Sequence, residues 1–439
     1  MMKNESIQNK DGAAKPSTID LVNKNLAKRY RAEKRFKAYG VAAILFGLAC
    51  LVILFTDIIG KGHSAFLQTY VYVEVNYDAD ALDISNVNDP QQLAIADYSA
   101  IVKSALREQF TDAKSRKQRR NLYGLISNGA SFTLRESLEN NPALLNQTVG
   151  LWLLADDDID TYYKSRGDNK DDAFVGRLNP QQVAWVETWI DKQQIKKRFN
   201  TTFFTSGDSR EPEQAGIMGA MAGSLFTLLV TIALSFPIGV AAAVYLEEYA
   251  PKNRITDFIE VNINNLAAVP SIIFGLLGLA IFIGYFEMHR SIPLVGGLVL
   301  SLMTLPTIII SSRAAIKSVP PSIRDAALGL GASKMQVILH HVLPLAMPGM
   351  LTGAIIGFAQ ALGETAPLLM IGMVAFIVDI PGGVSDPATA LPVQIFLWSD
   401  SPERAFVERT SAAIMVLLAF LITMNTAAIW LRKRLERRW

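Results

Sequence analysis

Six long apolar stretches and one long polar stretch set the pattern of this 439-residue chain. The apolar stretches cover 38–56, 215–246, 261–286, 291–312, 345–378 and 410–431, and Glu364 is the one charged residue inside any of them. Eighteen or more apolar residues make a helix long enough to cross a hydrocarbon layer of about 30 Å. The pattern predicts an all-α polytopic membrane protein with about six transmembrane helices. The polar stretch 57–213 follows the first run and reads as a water-exposed insertion. Within it Val71, Val73 and Val75 alternate with Tyr70, Tyr72 and Glu74, which is a strand pattern. The stretches 92–110 and 180–199 have helical spacing, so the insertion is expected to be an α/β or mixed domain.

The predicted order is a basic N-terminal segment, 1–37, disordered over 1–17, then an anchor helix, 38–56, and the insertion, 57–213. A five-helix core, 214–432, and a basic tail, 433–439, complete it. A cleaved signal peptide is the rival reading of the first run. It fits poorly, because the run is long and no small-x-small cleavage site follows. Basic residues collect on the cytoplasmic side of membrane proteins. Lys24, Lys28, Arg29, Arg31, Lys34, Arg35 and Lys37 precede the first run, and Arg432, Lys433, Arg434, Arg437 and Arg438 follow the last. The segment 313–341 holds Arg313, Lys317, Arg324 and Lys334 against the single acid Asp325, whereas 379–409 is acid-rich. The segment 247–260 carries both signs and is neutral on the question. This asymmetry predicts both termini inside and the insertion outside.

Composition narrows the chemistry. The net charge of +2 gives no basic surplus for nucleic acid, and the lone Cys50 excludes an intrachain disulfide or a cysteine metal site. Within the insertion, 114–120 is strongly basic and 156–160 strongly acidic. An EF-hand reading of the acidic run lacks the glycine at the sixth loop position. Each run reads as a solvated face. The spans are rich in Gly and contain Pro237, Pro270, Pro306, Pro348 and Pro367. That suits close helix packing or a translocation path.

The most informative stretch is 313–344. Pro320 and Pro321 end what precedes them, and Ser322 can cap a new helix whose apolar face is Ile323, Ala326, Ala327 and Leu330. Gly329 and Gly331 stop that helix. A second helix, 334–342, presents Met335, Ile338, Leu339 and Val342 before Leu343 and Pro344 open the next span. Two short helices standing outside the membrane suit insertion into a groove on a partner. His340 and His341 are adjacent, so they diverge on a helix and cannot form a metal pair; they read as loop surface.

Asp325-Ala326-Ala327, then Gly331, then Leu343-Pro344 resembles the EAA loop of bacterial ABC importer permeases, with matching spacing. Asp325 replaces the family's Glu, and His341 replaces its Ile. In that family the loop docks into a cytoplasmic ATPase subunit and transmits its closure. The segment Ser206 to Glu213, the stretch Ala268 to Gly275 and the stretch Gly363 to Leu369 are similar to the PstA-type permeases of phosphate ABC importers. The likeness covers roughly 205–439. It implies a permease subunit of the bacterial inner membrane that moves phosphate by alternating access. Implied partners are a second, PstC-like permease, an ATPase dimer that holds ATP and magnesium, and a periplasmic phosphate-binding protein. No cofactor or metal is expected on this chain, and the sequence has no G-x-x-x-x-G-K-[ST] segment for ATP.

Candidate pathway residues are Glu364, Thr365 and Arg313. A carboxylate inside a span is costly unless paired or solvated, so Glu364 is a functional candidate, with a structural ion pair as its rival. Thr365 can donate to an oxyanion. Arg313 is either an anchor at the end of its span or a phosphate attractor. In the family, Arg and Glu stand where this chain has Ile310 and Arg313, so the family's intramembrane Arg–Glu pair is altered here. A secondary transporter would show inverted repeats and several intramembrane carboxylates. A membrane-anchored sensor would need no docking loop. A permease for sulfate, molybdate or phosphonate is the nearest alternative.

Overall fold

The computed structural model describes residues 18–87, 89–166 and 177–435. The expectation of disorder over 1–17, and Arg437 and Arg438 of the tail, fall outside those residues. The chain divides into two units, Met1–Ile58 and Ile59–Trp439. The first unit is helix α1, Thr18–Gly62, whose last four residues belong to the second. Forty-five helical residues span about 68 Å, more than twice a hydrocarbon layer. The basic segment from Thr18 onward therefore continues the anchor as helix, where a separate segment was expected. A Glu33–Lys37 pair at 2.8 Å supports it at helical spacing. Val41, Ile44, Phe46 and Ile53 lie exposed along the apolar part, as a lipid-facing helix requires.

The polar domain opens the second unit. Its three-stranded antiparallel sheet has the order β2-β1-β3, from β1 (Leu67–Asn76), β2 (Thr148–Leu154) and β3 (Ile195–Phe199). Val71 faces Leu153 and Val73 faces Leu151 in the register. The alternating valines point into the core, where they meet helices α2 (Tyr98–Gln109), α3 (Ala130–Asn140), α4 (Asp157–Ser165) and α5 (Pro180–Asp191). The expected α/β character holds, with two changes in the elements. The stretch 92–110 is two helices, a short one at Pro90–Ile95 and α2, which starts at Tyr98 because the Asp97 carboxylate caps it by accepting from the Ala100 N–H. The stretch 180–199 is half helix and half strand. Gln193 adopts φ +55° in the turn after α5, and the chain then pairs as β3 beside β1.

The membrane core follows. Helix α6 (Met218–Tyr249) packs on α9 (Pro293–Lys317), which packs on α11 (Lys334–Gly363), which in turn meets α14 (Ala405–Leu435). Small residues make these approaches possible. A Cβ on Gly297 would collide with Val230 of α6, and one on Gly353 would collide with Ser311 of α9. Among the described residues five helices are long and apolar enough to cross a membrane, or six if one bent pair counts as a span.

That bent pair corrects the run 261–286. It is two helices, α7 (Arg254–Ala267) and α8 (Ser271–Gly278), the latter extended to Tyr285 by a wide turn, and they meet at 100°. Pro270 lacks an N–H and biases Val269 away from helix, so the break falls there. The run 345–378 also divides. Helix α11 ends at Gly363, Glu364 is extended, and a short helix α12 (Ala366–Met370) follows before loop. The acid-rich segment 379–409 encloses an apolar helix, α13 (Leu391–Ser399), buried on Leu391, Val393 and Trp398.

Candidate functional site

The docking stretch lies at the end of α9. Helix α10, Pro321–Gly329, begins on Pro320 as its cap, so Ser322 does not serve as one. Its end is a Schellman turn: the Ala332 N–H donates to the Ala327 carbonyl at 3.1 Å and the Gly331 N–H to the Leu328 carbonyl at 2.9 Å. Gly331 carries the turn at φ +88°, a left-handed conformation that costs an L-residue about 1–2 kcal/mol. The second helix is not a separate piece. A capping box of Ser333 and Gln336 starts it, a wide turn at Ile338–Val342 carries His340 and His341, and it runs on through Leu343 and Pro344 as α11. The segment 334–342 is therefore continuous with a membrane helix, and the turn at Gly331 joins it to α10.

The two alanines of the motif divide the work. Ala327 is buried against Ala315, Ile316, Val337 and Val342, which seats α10 on the core. Ala326 and Asp325 face outward. Around them Leu328, Met335 and Leu339 are about half exposed and Leu330 is 90% exposed. A cavity of about 780 Å³ opens here between Pro320, Ala326, Leu330, His341 and Pro344. Exposed apolar side chains on a short helix beside a groove are the features of a protein docking surface.

A charge cluster behind the knob, which the sequence did not single out, involves the acids of 247–260. Arg324, the neighbour of Asp325, donates from Nε and Nη2 to Glu248 at 3.0 and 2.8 Å. It also donates to the Val319 and Ile316 carbonyls at the end of α9. Arg313 donates to Glu247 at 3.2 Å and to Glu260 of α7 at 2.5 Å. These pairs are only partly exposed and tie α6, α7, α9 and α10 together. The clue in the sequence was two adjacent acids, Glu247 and Glu248, at the end of an apolar run.

Glu364 and Thr365 sit at the break between α11 and α12, half buried. Among the described residues no hydrogen bond or ion pair reaches the Glu364 carboxylate. Arg313 lies at the far end of α11's partner helix and is held by its own two acids, so the structure does not bring the three pathway candidates together. An apolar groove of about 390 Å³ runs between α6, α11 and α14, and Asn425 is the one polar side chain among its lining residues. An anion finds no charged partner there.

The lead-in 206–216 forms the junction of polar domain and core. The Trp398 indole donates to Asp208 at 2.9 Å, and burial pushes the Asp208 carboxyl up against that bond. Glu213 accepts from Ser127 at 2.5 Å, and its backbone carbonyl accepts from Gln68 of β1. Burial pushes the Glu213 carboxyl up to about 7. Nearby, burial and then the charges of Asp157 and Glu213 push Asp156 up to about 8. The acidic run 156–160 is thus no solvated face: Asp156, Asp157 and Asp158 are half buried and Asp160 is buried. The basic run 114–120 is exposed, as expected.

Residues 235–439 match the family model described as binding-protein-dependent transport system inner membrane component. Residues 23–173 match a domain of unknown function, DUF3333. The chain is 30% identical over 243 residues to the probable ABC transporter permease protein YqgI of Bacillus subtilis (strain 168), covering 52% of this chain and 82% of that protein. It is 32% identical over 231 residues to the phosphate transport system permease protein PstA 1 of Mycobacterium tuberculosis (strain CDC 1551 / Oshkosh), covering 52% and 74%. It is also 29% identical over 253 residues to the phosphate transport system permease protein PstC of Haemophilus influenzae (strain ATCC 51907 / DSM 11121 / KW20 / Rd), covering 52% and 78%.

Proposed function

The chain belongs to the binding-protein-dependent transport system inner membrane components, the permease subunits of ABC importers, and from that membership we propose that it translocates inorganic phosphate. The observation that carries the proposal is the resemblance of its core to a PstA permease at 32% identity over 231 residues. The oxyanion alternatives (sulfate, molybdate, phosphonate) share the docking stretch and lack that support.

In this reading the ends rich in Lys and Arg face the cytoplasm of a bacterial inner membrane and the polar domain faces outward. The apolar groove along α6, α11 and α14 offers an anion no charge, so the path forms only with a second, PstC-like permease. An external phosphate-binding protein delivers the substrate. An ATPase dimer binds ATP and magnesium and receives the knob of Leu328, Leu330, Met335 and Leu339. Closure of the dimer pushes α10. Ala327 passes the displacement to the α9–α11 seam, and Arg324 passes it to α6 through Glu248. The bundle then opens outward. Glu364 and Thr365 stand at the break where α11 can hinge against α12. Thr365 offers an oxyanion a hydroxyl, while Glu364 calls for a cationic partner from the second permease. Alternating access of this kind needs the ATPase to bind the two states with different affinity.

The test is phosphate uptake by the reconstituted four-component complex. Uptake driven by ATP is expected for the wild type and lost in Gly331→Glu. Uptake of sulfate in place of phosphate would overturn the substrate and leave the docking role standing.

A further inference from the structure

The apolar groove between α6, α11 and α14 has the length of one bilayer leaflet. Its lining runs from Leu351 to Leu362 on α11 and from Leu421 to Leu431 on α14. At 1.5 Å per residue each stretch rises about 15 Å, half of a hydrocarbon core of about 30 Å. Small side chains stand where larger ones would close the groove: Ala354 and Ala359 on α11, Ala427 and Ala428 on α14. Its volume of about 390 Å³ lies in the range of pockets that take small apolar ligands, about 300–1,000 Å³. With Asn425 as its one polar side chain, the lining gives water too few partners to fill the space.

The groove itself has no charge, but one end of it does. Leu431 is its last lining residue on α14, and Arg432, Lys433 and Arg434 follow. Arg432 is half buried, and its Nη1 donates at 3.0 Å to Thr352 of α11, the neighbour of Leu351. Thr352 donates in turn to the Pro348 carbonyl at 2.7 Å, so its oxygen is turned to the guanidinium. Among the described residues no carboxylate pairs with Arg432, Lys433 or Arg434. Over 432–439 five cations stand against the single acid Glu436. Trp430 is 60% exposed and has the Arg434 guanidinium 5.6 Å from its ring centre. Exposed Trp beside basic residues marks a membrane–water interface. The mouth therefore lies at headgroup level, and the groove runs from it toward the bilayer midplane.

We propose that the groove holds one acyl chain of an anionic phospholipid whose phosphate is bound by Arg432. A guanidinium has N–H donors to spare after one bond to Thr352, and it matches phosphate through two parallel hydrogen bonds. Lys433 and Arg434 add positive charge that favours a headgroup of net negative charge. Inorganic phosphate would use the cations and leave the groove unfilled. A transmembrane helix of a partner runs the full hydrocarbon depth, about twice the length of the groove, and leaves the charged mouth unexplained. A lipid uses both. The inference needs only that α6, α11 and α14 cross a membrane, and it stands or falls apart from phosphate transport.

The experiment is photolabelling of the full-length chain in phosphatidylcholine nanodiscs doped with phosphatidylglycerol that carries a photoactivatable group on its acyl chain. Labelled peptides are mapped by mass spectrometry, and label is expected on the facing stretches 351–362 and 421–431. The same acyl chain on phosphatidylcholine should label them about five-fold less, the effect of a basic residue near a headgroup. Arg432→Gln should lower labelling by phosphatidylglycerol to that level, and Ala428→Phe, which fills the groove, should remove it. Lys37→Gln, at the basic end of α1, should leave it unchanged. Equal labelling by the two lipids, or labelling by phosphatidylglycerol unchanged in Arg432→Gln, would overturn the proposal. Labelling that disappears when the chain is assembled in its complex would give the groove to a partner helix and overturn it too. If Ala428→Phe does not fold, the comparison of the two lipids and Arg432→Gln still decide.

Discussion

At the scale of single residues, the stretch 313–344 depends on a few positions with unequal duties. Gly331 holds a left-handed turn, Ala327 fills a buried seat, and Arg324 ties the knob to α6 and α9. Gly331 was legible, because the motif spacing placed a glycine where a helix must stop. The different fates of Ala326 and Ala327 were not, since neighbouring alanines differ only in which way the helix turns them. Arg324 was counted as one more positive charge. Its role depends on Glu248, which lies 76 positions earlier in the chain. Arg324→Ala should therefore loosen the knob while leaving it exposed. ATP hydrolysis by the complex is expected to continue while uptake per ATP falls about five-fold or more, the size of an ordinary coupling energy. Equal loss of hydrolysis and uptake would mean that Arg324 serves assembly and not coupling. Glu364→Gln keeps the shape of the break and removes its charge. If a cation of the second permease pairs there, the substitution should reduce assembly of the two permeases in detergent, measured by co-purification. Unchanged co-purification would leave Glu364 without that partner.

Among the elements of the described residues, hydropathy located each helix long and apolar enough to cross a membrane and missed the breaks in two of the runs. The runs 261–286 and 345–378 are continuous in apolar character, so counting residues against bilayer thickness joins what the backbone divides. The breaks lie at Pro270 and at Glu364-Thr365, and proline chemistry explains the first. Pro237, Pro306 and Pro348 lie inside helices that continue, so proline alone was no guide to a break. The strand β3 was hidden for a related reason. Its sequence, Ile195-Lys-Lys-Arg-Phe199, has one buried position and follows a helix with no proline between them. The packing of α9 on α11 yields a direct test. Gly353→Leu would force a side chain against Ser311, and overpacking of this kind costs about 1–3 kcal/mol. A lower melting temperature of the purified chain is expected. An unchanged melt would show that the two helices do not approach as closely as described.

Over the whole molecule, the polar domain is bound into the core at more than one place. Asp208 receives the Trp398 indole, and Lys164 of α4 pairs with Glu408 of α14. Sequence reading separated domain and core at 213 and supplied no link between them, because every one of these contacts joins residues far apart along the chain. Trp398→Phe keeps most of the buried ring and removes the indole donor to Asp208, leaving it the Ser209 N–H. Loss of a hydrogen bond to a charged group costs about 1.5–3 kcal/mol, so limited proteolysis of the domain should quicken while the core helices stay protected. The two-helix form of 313–344, by contrast, was legible in outline, since its motif is contiguous, although the cap and the continuation into α11 were not. The most direct test of its role is ATP-driven phosphate uptake by the reconstituted complex carrying Gly331→Glu, with assembly confirmed beforehand. Uptake should fall to the level without ATP while the external binding protein still binds phosphate. Uptake equal to that of the wild type would contradict the role of 313–344 as the part that the ATPase moves.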